Sequence, residues 1–268
     1  MIKKQLLCFG AVLLMVSLSK LYTYEVSAEE PGTETWSYDS LSRLLVQADI
    51  TAIRNTSYFA SLSFANENMP LGDQRIEEKM MHYLREYSYA NRRSHRLHRK
   101  AKPALNRVAA ILRSHGVPED FKYIPLVESG FASGTTSHRG ASGYWQFMPA
   151  TARSFGLRVD NVTDERQDIE KSTIAAAKYL KALYREFNSW TLVAAAFNIG
   201  EGRLRRAIDR QHEDNYFRLK LNKETGSYVY KLISMKEIIE HPVLHGYHRS
   251  GGPRLAEASS VDSPDRKL

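Results

Sequence analysis

Beyond residue 72 the apolar positions recur three and four apart through several long stretches, and no segment shows the sustained alternation of a half-buried strand. Asp73 is placed to cap a helix starting near Ile76, with Glu77 and Glu78 in its first turn and Met80, Tyr83, Leu84 and Tyr87 on one face. Pro103 suits a first helical position, Leu105, Val108, Ala109 and Leu112 follow at helical spacing, and Gly116 and Pro118 mark the end. The clearest stripe runs from Asp168 to Phe187, through Ile169, Ala176, Ala177, Leu180, Leu183 and Tyr184. A second helix is expected over Trp190 to Asn198, stopped by Gly200, and a third over Thr225 to Glu240, ended by Pro242. The pattern predicts an all-α, mainly helical fold.

The two ends read differently. Residues 1–28 carry Lys3 and Lys4 ahead of an apolar run from Leu6 to about Ser19, with small residues near Val26-Ser27-Ala28, which predicts a signal peptide and export. The run is shorter than the roughly 18 residues of a membrane-spanning helix, yet Ala28 lies far from it for a processing site, so an uncleaved N-terminal anchor is the alternative. Residues 29–72, with Pro31-Gly32-Thr33 and only short apolar clusters, predict a partly ordered arm. A helical extension over 73–116 and a main helical domain over 117–245 follow, and the Gly-, Ser- and Pro-containing residues 246–268 predict a flexible tail.

Composition narrows the classes. Cys8 is the single cysteine and falls inside the apolar run, so no disulfide can staple a processed chain and stability must come from packing. Removing residues 1–28 lowers the net charge from +8 to +6, an excess that favours acidic partners without singling out nucleic acid. Arg92, Arg93, Arg96, Arg99, Lys100 and Lys102 form a basic stretch that reads as a solvated face or connector, or else as a contact for an anionic envelope polymer. The nine histidines show no H-E-x-x-H spacing, no Gly-rich phosphate loop appears, and no internal repeat is found. Neither metal nor cofactor is expected.

Four short segments carry the candidate chemistry. Tyr123 to Phe131 sets Glu128 within an otherwise apolar run, where desolvation would raise its pKa and let it donate a proton near neutrality; a surface carboxylate is the ordinary alternative. Ser137 to Pro149 contains Gln146 between Trp145 and Phe147, an amide that needs partners either in the core or from a polar ligand such as a sugar hydroxyl. Phe147 and its aromatic neighbours are more often core than ligand platform, although the apolar face of a sugar ring also suits aromatic surfaces. In Ala196 to Gly202, Asn198 ends an apolar helix either as a cap or as a ligand contact. In Glu224 to Lys231, Tyr228 and Tyr230 begin a helix and are explained by packing alone.

The order and spacing of the four segments, with Asp164-Glu165-Arg166 between them, resemble the Slt-type lytic transglycosylase family, particularly its membrane-bound transglycosylase D-like group, of the lysozyme-like superfamily. The motifs of that family run E-S, G-x-x-Q-x-x-P, A-Y-N and E-T-x-x-Y-V, and the resemblance covers about Ile76 to Glu240. It implies a lysozyme-like catalytic domain over 117–245 that cuts peptidoglycan glycan strands in the periplasm or cell envelope. The bond would be the one from N-acetylmuramic acid to N-acetylglucosamine, and the product a 1,6-anhydro end. It implies Glu128 as the single catalytic acid and base and Ser137, Gln146, Phe147, Asn198 and Tyr228 as the substrate site, with Tyr228 orienting the glutamate. Phe197 stands where the family usually has tyrosine, Gly226 and Ser227 replace the usual arginine and its neighbour, and no LysM-like repeat follows. A goose-type lysozyme-like hydrolase and a catalytically silent peptidoglycan-binding protein are the alternative readings; nucleic-acid binding explains none of the motifs.

Overall fold

The computed structural model describes residues 57–88 and 104–245, all within the unit Thr51–Leu268. The N-terminal 1–28 segment, most of the 29–72 arm, the basic stretch 92–102, Pro103 and the 246–268 tail lie outside the described residues. Among the described residues no helix is long and apolar enough to cross a membrane.

Helix α1 spans Gln74–Tyr87, and the Asp73 side chain caps it by accepting from the Arg75 amide. Ile76, Met80, Tyr83 and Leu84 form its buried face. Helical residues 104–114 (α2) bury Leu105, Val108, Ala109 and Leu112. They end in a left-handed Gly116, where the Val117 amide returns to the Leu112 carbonyl. A 3-10 turn, Glu119–Tyr123, leads into the short α3, Ile124–Ser129. After a long loop come α4 (Pro149–Ser154), a 3-10 turn (Glu165–Gln167), α5 (Ile169–Phe187), α6 (Trp190–Ile199), α7 (Glu201–Gln211) and α8 (Thr225–Glu240). The fold is all-α apart from one antiparallel hairpin of two-residue strands, β1 (Ser63–Phe64) and β2 (Glu67–Asn68).

Two helices are buried almost all round and set the architecture. In α6, Thr191 to Ala196 are all buried, and the run Ala194-Ala195-Ala196 lets α5 and α8 approach closely on either side. In α8, burial extends from Thr225 through Tyr228, Leu232 and Met235 to Ile238, as expected of a central helix. Helix α1 packs on α8, so the 73–116 extension shares the core of the main domain.

Two features go beyond the sequence reading. Helix α7 was not expected: it is predominantly polar and buries only Leu204 and Ala207, so it leaves almost no apolar stripe. The end of the arm, residues 57–72, is ordered, with Phe59, Leu62, Phe64 and Met69 in the core. Ala65 and Asn66 are both left-handed, the geometry of a tight primed turn, and the Ala65 amide donates to Asp120 Oδ2 at 2.7 Å. Lys236 of α8 reaches the same oxygen at 2.7 Å.

The hairpin also caps a helix 122 residues away. Glu67 accepts from Ser189 Oγ (2.9 Å), Thr191 N (2.9 Å), Thr191 Oγ1 (2.7 Å) and Trp190 N, placing a carboxylate on the free amides at the start of α6. Removing it orphans those donors. Glu67→Ala is expected to cost about 2 kcal/mol, seen as a lower urea midpoint with unchanged slope.

Candidate active site

Helix α3 is only six residues long, opened by Pro125 in its first turn and closed by left-handed Gly130. Glu128 therefore sits close to its end. Ser129 fixes the helix to the following loop, its hydroxyl lying 2.9 Å from the Pro125 carbonyl and 3.2 Å from the Tyr144 carbonyl.

That loop, residues 130–148, is stiffened by isolated bridges, Thr136 to Ser142 and Ser142 to Phe147. Its anchor is Arg166, only 7% exposed, whose guanidinium forks onto Asp164 (2.8 and 2.7 Å) and donates to the Gly140 (2.8 Å) and Phe147 (2.9 Å) carbonyls. Gly143 passes so close beneath that a Cβ there would lie 1.9 Å from the Arg166 carbonyl oxygen. Gln146 is held left-handed, and its amide nitrogen donates to the Thr135 (3.0 Å) and Gly143 (2.8 Å) carbonyls. Among the described residues no donor meets its Oε1. The Ser137 hydroxyl accepts from the Ala141 amide at 3.0 Å and sets the turn beside it.

Asn198, near the end of α6, has both ends of its amide engaged. Its nitrogen donates to Glu224 Oε1 at 3.2 Å and its oxygen accepts from Thr225 Oγ1 at 2.7 Å. Phe147 and Phe197 pack edge to face, 5.8 Å between ring centres, and Tyr179 lies tilted at 5.6 Å from Phe197. Trp145 is fully buried and donates from its indole to Thr173 Oγ1 at 3.0 Å, so it belongs to the core.

Together these elements enclose a cleft of about 620 Å³ lined by Glu128, Ser137, Gln146, Phe147 and Asn198. Five of the six residues singled out from sequence meet there. Tyr228 does not line the cleft; it is buried behind the carboxylate, and its hydroxyl donates to Glu128 Oε1 at 2.5 Å. His138, Arg139, Thr151, Tyr179 and Glu224 also line the cleft. The first two and Glu224 lie inside the sequence motifs, whereas Tyr179 lies on α5 beside the apolar stripe, where nothing in the sequence marks it.

Burial pushes the Glu128 carboxyl above the usual glutamate range, and the charge of Glu224 adds to this, against the opposing effects of the Tyr228 hydrogen bond and Lys231. Burial, reinforced by Glu128, pushes the Tyr228 phenol well above its usual value, so Tyr228 keeps its proton and remains a donor. The site can thus hold a protonated carboxylic acid facing a cleft and stabilise the carboxylate left after the proton departs. Among the described residues no group of three His, Cys, Asp or Glu side chains is arranged to hold a metal ion.

If Tyr228 acts on the carboxylate, Tyr228→Phe removes an interaction that favours the ionised form. The expected result is a roughly tenfold lower kcat together with an alkaline limb of the rate profile moved to higher pH. A packing role alone would leave that limb in place.

Residues 108–219 match the family model of the transglycosylase SLT domain. Over 192 residues the chain is 32% identical to membrane-bound lytic murein transglycosylase D of Escherichia coli (strain K12), covering 69% of this chain and 42% of that protein. It is 35% identical over 147 residues to a putative tributyltin chloride resistance protein of Alteromonas sp. (strain M-1), 53% of this chain and 71% of the relative. A 94-residue stretch is 42% identical to peptidoglycan transglycosylase gp16 of Escherichia phage T7, 34% of this chain and 7% of the phage protein. The chain spans less than half the length of the transglycosylase D relative.

Proposed function

Because the chain belongs to the Slt-type lytic transglycosylase family, we propose that it cleaves peptidoglycan glycan strands by a non-hydrolytic route, with Glu128 as the single acid and base. The observation that carries this is one carboxyl group with a raised proton affinity, facing a cleft and backed by a phenol that cannot ionise near neutrality. Protonated Glu128 gives its proton to the oxygen bridging N-acetylmuramic acid and N-acetylglucosamine. That bond breaks, and the muramyl acetamido oxygen stabilises the cationic anomeric carbon. The carboxylate, held by Tyr228, then takes the proton of the muramyl C6 hydroxyl, whose oxygen closes on the anomeric carbon as a 1,6-anhydro ring. The proton balance is zero and no water is consumed.

The remaining residues position the strand. Gln146 Oε1 is an acceptor for a sugar hydroxyl or acetamido N–H, and the turn set by Ser137 forms one wall. Asn198, fixed by Glu224 and Thr225, offers its edge from the other wall, and Phe147 with Phe197 supplies an apolar surface for a sugar face. Phe197 offers no hydroxyl where the family usually has tyrosine, and its ring packs against Tyr179. Export to the envelope, with residues 1–28 as signal or anchor, brings the enzyme to this substrate.

Mass spectrometry of purified peptidoglycan digested by the protein tests the proposal. Products lighter by one water than the hydrolytic muropeptides, with 1,6-anhydro ends, are expected. Reducing ends carrying the added water would assign a hydrolase, and binding to sacculi without release of fragments would assign a silent binding protein.

A further inference from the structure

A second hollow, of about 650 Å³, lies between the ends of α2 and α4 and the exposed face of α5, lined by Ser114, His115, Gly116, Phe155, Lys178, Lys181 and Arg185. It shares no lining residue with the cleft; the Phe155 and Tyr179 rings, 4.9 Å apart, stand between them.

The charges around this hollow are unlike those elsewhere on the same helices. Arg107 pairs with Glu170, Arg113 with Glu119 and Lys171 with Glu165, and Arg153 donates to the Val159 carbonyl. Lys178, Lys181 and Arg185 have no acceptor among the described residues, and no carboxylate lines the hollow. They follow one another at spacings of three and four on α5, which brings like charges together within about 10 Å along the helix and disfavours the arrangement unless an anion is present.

Capping does not account for the lysines. Their ammonium groups lie beside the left-handed turns at Gly116 and Gly156, each 3.9 Å from the position a Cβ would take. The carbonyls there are already satisfied by backbone amides: Val117 N bonds the Leu112 carbonyl at 3.0 Å and Leu157 N the Ala152 carbonyl at 3.0 Å. The cations are therefore available to a ligand.

We propose that this hollow is an anion-binding site for a phosphate group, separate from the cleft and independent of the reaction assigned to it. Two ammonium groups and a guanidinium lining one hollow suit a compact phosphate oxyanion better than single carboxylates. A phosphate monoester or diester of an envelope polymer, or of a lipid headgroup, supplies that chemistry and would hold the enzyme near its work.

The test uses the full chain and the variant K178Q/K181Q/R185Q, whose changes fall on exposed positions and should leave thermal unfolding unaltered. Titration calorimetry with pyrophosphate, and co-sedimentation with vesicles of phosphatidylglycerol and phosphatidylcholine or of phosphatidylcholine alone, measure binding. The wild type is expected to bind pyrophosphate or the anionic vesicles at least tenfold more tightly than the variant, while both cleave soluble glycan chains equally. Binding of pyrophosphate alone identifies a soluble or polymer phosphate as the source, and binding of anionic vesicles alone a lipid headgroup. Equal binding by wild type and variant, or competition by poly-glutamate as effective as by pyrophosphate at equal charge, overturns the proposal.

Discussion

Glu128→Gln is expected to fold normally, bind glycan strands and cleave them roughly a thousandfold more slowly than the wild type. Glutamine keeps the shape of the side chain, and its carbonyl oxygen can still accept from Tyr228, so the hydrogen bond behind the site survives. What is lost is the proton. The same substitution has a second signature in stability. The folded-state pKa of Glu128 is raised, so the folded chain binds that proton more tightly than the unfolded chain does. Wild-type stability therefore declines as pH rises from the ordinary glutamate value through the raised one, while the glutamine variant lacks this decline. Urea unfolding at a series of pH values should show the variant gaining on the wild type as pH increases across that window. Cleavage should weaken only at the upper end of that window, as pH passes the raised value, because the acid form of the folded protein is the one that acts first. Full turnover by the variant would remove the proposed chemistry, and a parallel stability profile would remove the buried-acid argument.

The second large effect is expected at Gly143. An added methyl there would meet main-chain atoms, 1.9 Å from the Arg166 carbonyl oxygen and 2.5 Å from its carbon, in a residue whose φ is +78°. Neither neighbour can swing aside, because Arg166 is buried and tied to Asp164, Gly140 and Phe147. Gly143→Ala should therefore lose about 4 kcal/mol or more and, where it folds, displace Gln146 and the cleft wall. Gly140→Ala is the matched control: its φ is +85°, yet nothing lies within 4 Å of the added carbon. Backbone strain alone, about 1 kcal/mol, is expected there. Similar urea midpoints for the two variants would show that conformation, not the close approach, governs the site.

Local signals were readable where local physics decides. The Asp73 cap, the Thr225 to Glu240 helix and the α5 stripe follow from residues within a turn of one another, and the structure has them where the pattern predicts. Taken singly, Glu128, Gln146 and Asn198 each had an ordinary explanation as surface carboxylate, core amide or helix cap; the cleft was legible only through the family resemblance that the order and spacing of the four segments carry. Other features depend on partners far along the chain. Nothing around Glu67 indicates that it caps α6, and Arg166, which the resemblance marks only as part of Asp164-Glu165-Arg166, shows its task once it is seen buried among carbonyls. The left-handed backbone of Gln146 sits between the bridges around Ser142 and its own side-chain bonds to the Thr135 and Gly143 carbonyls, partners that its immediate neighbours do not reveal. Tyr228 could be assigned to packing on spacing alone; only the approach of α8 to α3 gives its hydroxyl a task.

The stretch that carries the family signature, 108–219, is smaller than the body that makes it work. A fragment trimmed to those limits would retain the acid yet discard the phenol behind it, the α8 shaft on which α6 rests, and the hairpin carboxylate that seals the head of α6. Grafting or shortening this domain is thus governed by two distant clasps, Glu67 and Tyr228, that hold the segments flanking the signature onto its middle.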